Sequence, residues 1–151
     1  MNRICPSIFL KRALLADAVV SGATAALQLA ATERLTIALE LPRLLLVGSA
    51  EFMLIYAAVL VYMATRQRIV APAVKGVVFG NLLWGLAGIA LLLSGGLAPN
   101  RFGAGFVLLQ SFAVSVLAGL QWLGLRRSAP AGWALSAGPL DAHGPQRRRA
   151  S

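Results

Sequence analysis

Apolar residues fall into four long blocks, over about residues 13–31, 44–64, 76–97 and 102–125, separated by short polar connections. Each block is close to the ~20 residues that carry a helix across a ~30 Å hydrocarbon layer. The pattern predicts an all-α fold, a transmembrane four-helix bundle of up-down topology spanning residues 13–127. A basic leader, residues 1–12, precedes it, and a tail rich in Pro, Gly, Ala, Ser and Arg, residues 128–151, is expected to be disordered. Pro42 suits the first turn of the second helix, where a missing N–H costs nothing. The connection 32–43 holds Leu35, Ile37, Leu39 and Leu41 among Glu33, Arg34, Glu40 and Arg43, which fits a short interfacial turn of helix. A tight Ala98-Pro99-Asn100-Arg101 turn joins the last two blocks. A charged leader before an apolar stretch also describes a signal peptide, but Asp17 inside the first block argues for a permanent helix.

Composition agrees with the pattern: 58% of residues are hydrophobic, 13% are charged and the mean hydropathy is +0.76, far from the ~25% charged residues of soluble domains. The net charge of +9 comes from Lys and Arg that flank the blocks, as anchors at anionic headgroups do, so no nucleic-acid partner is expected. Eleven of the fourteen Lys and Arg lie in the leader, the middle connection and the tail, and three (Arg34, Arg43, Arg101) in the other two connections. Because basic loops resist translocation, both termini are expected in the cytoplasm.

Polar side chains inside the blocks are costly in lipid unless they face other helices, about 2.5 to 3.5 kcal/mol for a central carboxylate. Asp17, Ser21, Thr24 and Gln28 recur at i, i+4, i+7 and i+11, one helical face. Glu51 and Tyr62, and Gln110 and Gln121, repeat the separation of eleven. With consecutive helices antiparallel, Asp17, Tyr62, Asn81 and Gln121 form a cytoplasmic level, and Gln28, Glu51 and Gln110 an outer one. The expectation is that the polar faces converge: Asp17 on Asn81 or Gln121, and Glu51 on Gln110. Tyr56 and Tyr62 are further candidate donors. Small residues suggest close helix packing: Gly22 within an Ala18 to Ala30 stripe, Gly76 and Gly80 as a GxxxG pair, and Ser111, Ser115 and Gly119 in the last block.

The chemistry left open is narrow. The only histidine, His143, is in the tail, and Cys5 is the sole cysteine, so no haem, zinc or dithiol site is expected in the membrane. Ser49 in Gly48-Ser49-Ala50-Glu51 has no intramembrane base to activate it. No catalytic residues, metal or cofactor are expected, and the chain is not read as an enzyme. Two functions remain. One is a non-catalytic bundle, held by its polar residues, that self-associates or assembles with another membrane protein. The other is a small proton- or cation-coupled transporter using Glu51 and Asp17, since an embedded carboxylate is a default functional candidate. Small multidrug exporters also have four helices and one membrane glutamate, but theirs is in the first helix.

Asn81-Leu82-Leu83-Trp84, the apolar run to Ser94-Gly95-Gly96, the segment Leu120-Gln121-Trp122-Leu123-Gly124-Leu125-Arg126-Arg127 and Leu41-Pro42 together resemble a group of uncharacterised small four-span bacterial integral membrane proteins. The resemblance covers about residues 13–127. It implies four helices in a bacterial inner membrane, with the lipid bilayer as surroundings, and carries no activity over.

Overall fold

The computed structural model describes residues 3–95 and 98–130. In chain order the elements are β1 (Arg3–Cys5), α1 (Ile8–Ala30), α2 (Thr32–Leu39), α3 (Arg43–Thr65), β2 (Ile69–Val70), α4 (Ala71–Leu93), α5 (Arg101–Arg126) and β3 (Ala129–Pro130). The helices α1, α3, α4 and α5 are each long and apolar enough to cross a membrane. By helix length and composition this is a multi-pass membrane protein. The disorder expected of the tail falls, beyond Pro130, outside the described residues.

Local chemistry sets the helix ends. Ser7 caps α1, its hydroxyl oxygen accepting from the Leu10 amide at 3.1 Å, so the helix starts before the apolar block and takes Lys11 and Arg12 into its first turns. Pro42 precedes α3, and Pro72 stands in the first turn of α4, which therefore begins at Ala71 instead of Gly76. Asn100 caps α5 by accepting from the Gly103 amide at 3.0 Å. Its side-chain amide also donates to the Ala38 carbonyl at 2.8 Å, tying the end of α2 to the start of α5. α2 itself stops where Glu40 adopts φ 52°.

Helix α1 packs against α3 and α5, and α5 packs against α4. Near the start of α1, Leu10, Leu14 and Ala18 meet Ala57, Leu60, Met63 and Ala64 from the end of α3, with Val74 and Val77 of α4 alongside. Near the end of α1, Ala25 meets Ala50 and Met53. Leu39, Leu41 and Leu46, with Phe106 and Val107 against them, close the opposite end of the molecule. In lipid such apolar contacts gain from close packing and not from the exclusion of water, so small residues and interhelical hydrogen bonds matter more than in a soluble core. Two glycines make the closest approaches. A Cβ on Gly124 would stand 2.7 Å from the Leu10 Cα, and one on Gly103 would collide with the Leu39 carbonyl oxygen.

A three-stranded sheet, ordered β2-β1-β3, interrupts the all-α pattern. Arg3 pairs with Val70 and Ile4 with Ile69 on one side of β1, and Ile4 with Pro130 and Cys5 with Ala129 on the other, both pairings antiparallel. Ile4 and Ile69 are buried and extend the core below Leu10. From Arg3 on, the leader is an ordered strand and the start of α1. Strands of two or three residues are too short for any alternation to show in the sequence.

Candidate functional site

In α1 the residues Asp17, Ser21 and Gln28 are buried and Thr24 is half-buried, so this polar face turns into the molecule. Asp17 is fully buried, and its carboxylate is an acceptor in every contact it makes. Oδ2 accepts from Gln121 Nε2 at 2.6 Å and Asn81 Nδ2 at 2.7 Å, and Oδ1 accepts from the Ser21 hydroxyl at 3.1 Å. The Tyr56 hydroxyl stands 3.3 Å from Asp17 Oδ2 and 3.0 Å from Asn81 Oδ1. It has one proton and can serve only one of them at a time. Asn81 Nδ2 also donates to Gln121 Oε1 at 3.2 Å, closing a triangle of Asp17, Asn81 and Gln121. All four long helices contribute to this knot: Asp17 and Ser21 from α1, Tyr56 from α3, Asn81 from α4 and Gln121 from α5.

Beside the knot, and on towards the α2 end, the molecule opens. Three adjoining cavities, of about 340, 270 and 190 Å³, all border Trp84. The largest reaches the knot through Ser21, Tyr56 and Asn81. The other two share Phe106 and Gln110 as well as Trp84. An aromatic ladder runs between these regions: Tyr56 stacks on Phe52 (centroids 6.1 Å apart) and Phe52 on Trp84 (5.2 Å). Gln28 Oε1 accepts from the Ser49 hydroxyl at 3.1 Å, and both line the smallest cavity.

Of the expected convergences, Asp17, Asn81 and Gln121 are brought together, and Glu51 and Gln110 are not. Glu51 is exposed on the outer face of α3. Tyr62, eleven residues on, is 58% exposed and lies under the Arg66 guanidinium, 4.2 Å from its ring centre. Their spacing does put them on one face, but it is the outer one. The inner stripe of α3 is Leu46, Ala50, Met53, Ala57, Leu60 and Ala64, apolar throughout. Tyr56 supplies the phenol of the knot in place of Tyr62. Gln110 is half-buried, and its Nε2 is enclosed without a hydrogen-bond partner among the described residues.

The expected packing glycines are corrected in part. A Cβ on Gly22 would lie 3.9 Å from the Ala57 Cβ, an ordinary contact, and one on Gly76, Gly80 or Gly119 would meet nothing within 4 Å. The GxxxG pair faces outward because the buried stripe of α4 runs through Val74, Val77, Val78, Asn81 and Gly85, and Gly119 because that of α5 runs through Ser111, Leu117, Ala118, Gln121 and Gly124. The close approach between α4 and α5 belongs instead to Gly85 and Gly88, against Ser111, Ser115 and Val107. Spacing could have shown this, since Asn81, Gly85 and Gly88 recur at i, i+4 and i+7. Among the described residues no group of three or more His, Cys, Asp or Glu could hold a metal ion.

The chain matches no protein-family model, no curated protein and no solved structure.

Proposed function

We propose that this protein is a non-catalytic four-helix bundle of up-down topology, set in a bacterial inner membrane with both termini in the cytoplasm, that assembles laterally with a second copy of itself. The observation that carries this is Glu51. It is exposed on α3 eight residues past Arg43, about 12 Å along the helix axis, and none of the described residues partners it. A carboxylate at that depth against acyl chains is strongly unfavourable. One turn before it on the same face, Gly48 is exposed, with nothing within 4 Å of the position a Cβ would take. A small residue beside a polar one is what lets another helix approach and bond. Two copies meeting on this face can satisfy both Glu51 side chains by a carboxyl-to-carboxyl hydrogen bond. The resemblance to small four-span bacterial membrane proteins supports the membrane and the helix count.

The test is energy transfer between copies carrying donor or acceptor fluorescent proteins after Ser151, in vesicles of increasing lipid-to-protein ratio. Wild type should transfer above the random level and resist dilution. Glu51→Gln, which keeps the hydrogen bonding, should stay close to it. Glu51→Leu should weaken association roughly three- to twentyfold, the span of one interhelical hydrogen bond. Transfer by the wild type at the random level throughout would overturn the proposal.

Proton- or cation-coupled transport is favoured by a different observation, the cavity that borders the partners of Asp17. With Glu51 turned outward, Asp17 alone would carry it. Gradient-driven flux into proteoliposomes that disappears in Asp17→Asn would support transport, and no flux from wild type would remove it.

A further inference from the structure

The α2 end of the molecule carries a charged crevice that neither association through Glu51 nor transport through Asp17 uses. We infer that this crevice holds the headgroup of a phospholipid bearing a primary ammonium, with the phosphate between Arg34 and Arg43 and the ammonium on Glu33.

Only Ala31 separates α1 from α2, and α3 begins at Arg43. Thr32, Glu33, Arg34 and Arg43 meet around one open crevice of about 460 Å³. The three charged side chains are exposed, so a ligand can reach them. Among the described residues none of the three has an ion pair or a side-chain hydrogen bond. The Thr32 hydroxyl, by contrast, already donates to the Gln28 and Leu29 carbonyls, at 2.6 and 3.1 Å, which leaves the three charges to decide what the crevice takes. Arg34 lies in the first turn of α2 and Arg43 opens α3. A cation at a helix start works against the helix dipole, whereas an anion there is favoured by it. A phosphate seated between the two guanidiniums offsets both penalties and matches their forked N–H donors. Glu33 narrows the choice, because a carboxylate beside the phosphate repels a ligand that is only anionic and attracts one that also carries an ammonium. The lipid as the source of this headgroup follows from Leu29, in the wall of the crevice, and Leu44, next to Arg43, which are 40% and 84% exposed. Both belong to helices long and apolar enough to cross a membrane, so acyl chains have an apolar surface to follow where the charges end.

The probe is dioleoyl phosphatidylethanolamine, titrated into the purified full chain in dodecyl maltoside micelles, with bound lipid counted by native mass spectrometry. The dioleoyl lipid with a choline headgroup keeps the phosphate but has no N–H to donate, and should bind about tenfold more weakly. The dioleoyl lipid with a glycerol headgroup has no cation for Glu33 and should also bind more weakly. Glu33→Lys, which repels the ammonium, should abolish the ethanolamine preference and turn it towards the glycerol lipid. Arg34→Gln combined with Arg43→Gln should weaken all three lipids, and Arg101→Gln, on α5 outside the crevice, should behave as wild type. Glycerophosphoethanolamine, the same headgroup without acyl chains, should not displace the lipid at equal concentration. The comparison of lipids needs no variant, so the inference stays testable if a variant fails to fold. Equal binding of the ethanolamine and choline lipids by wild type, a wild-type preference for the glycerol lipid, an ethanolamine preference that survives Glu33→Lys, or displacement by the soluble headgroup would overturn it.

Discussion

Asp17 shows how one residue can organise a membrane fold. Its carboxylate is the shared acceptor for side chains of α3, α4 and α5, and removing it strands their donors in a place that water does not reach. Interhelical hydrogen bonds are worth about 0.6 to 1.7 kcal/mol each. Asp17→Leu, which loses three, is therefore expected to destabilise by about 2–5 kcal/mol, and Asp17→Asn, which keeps one acceptor oxygen, by about 1 kcal/mol. Unfolding by added SDS in mixed micelles, followed by circular dichroism, measures both. A double-mutant cycle of Asp17→Leu with Gln121→Leu should give a coupling of at least about 0.6 kcal/mol; additivity would mean that the contact carries nothing. Depth alone made this triangle legible, because Asp17, Asn81 and Gln121 sit at one level once consecutive helices alternate. Glu51 escaped the same reasoning. A separation of eleven says that two residues share a face but not which face, and α3 carries apolar residues on every side with a few polar ones both inward and outward, so nothing in its sequence marks the inner side.

At the scale of the helix, the molecule separates glycines that a sequence cannot. Gly124 lies against the Leu10 backbone, where a Cβ would stand 2.7 Å from Cα and 2.9 Å from Cβ. Both are backbone-anchored atoms that cannot swing away. Gly124→Ala should force α1 and α5 apart at a cost of about 1–3 kcal/mol. Gly119→Ala, one and a half turns earlier in the same helix, meets nothing and should be neutral or stabilising by up to about 1 kcal/mol. The pair is read by the same SDS titration, and equal destabilisation by both would contradict the packing of α1 on α5. The number and order of the long helices were readable from apolar runs alone, and their ends only to within about five residues. The ends depend on capping by Ser7 and Asn100 and on Pro72 in the first turn of α4, which apolar content does not register. Burial fared worse than existence, since residues facing lipid and residues facing other helices are equally apolar here.

The whole molecule is asymmetric from end to end. The sheet of β1, β2 and β3 gathers the start of α1, the start of α4 and the end of α5 at one end, while α2 and the start of α5 occupy the other. Among the described residues, Arg3, Lys11, Arg12, Arg66, Arg68, Lys75, Arg126 and Arg127 belong to the sheet end, and only Arg34, Arg43 and Arg101 to the α2 end. Ser128 reinforces the first grouping: its hydroxyl accepts from the Ser7 amide at 3.0 Å and donates to the Gly124 carbonyl at 2.9 Å, so the start of α1 and the end of α5 are bonded to one another. They stand at one end of the molecule, and the basic excess there is the ground for proposing that this end faces the cytoplasm. Alkaline phosphatase, active only outside the cytoplasm, should therefore be silent when fused after Ser151 and active when inserted between Pro99 and Asn100. A green fluorescent protein should show the reverse. Moving the balance should move the protein: replacing the eight sheet-end basic residues with Gln, while adding Lys beside Arg34 and Arg101, should raise phosphatase activity after Ser151. Unaltered silence there would mean that the sheet, and not the charge, sets the orientation.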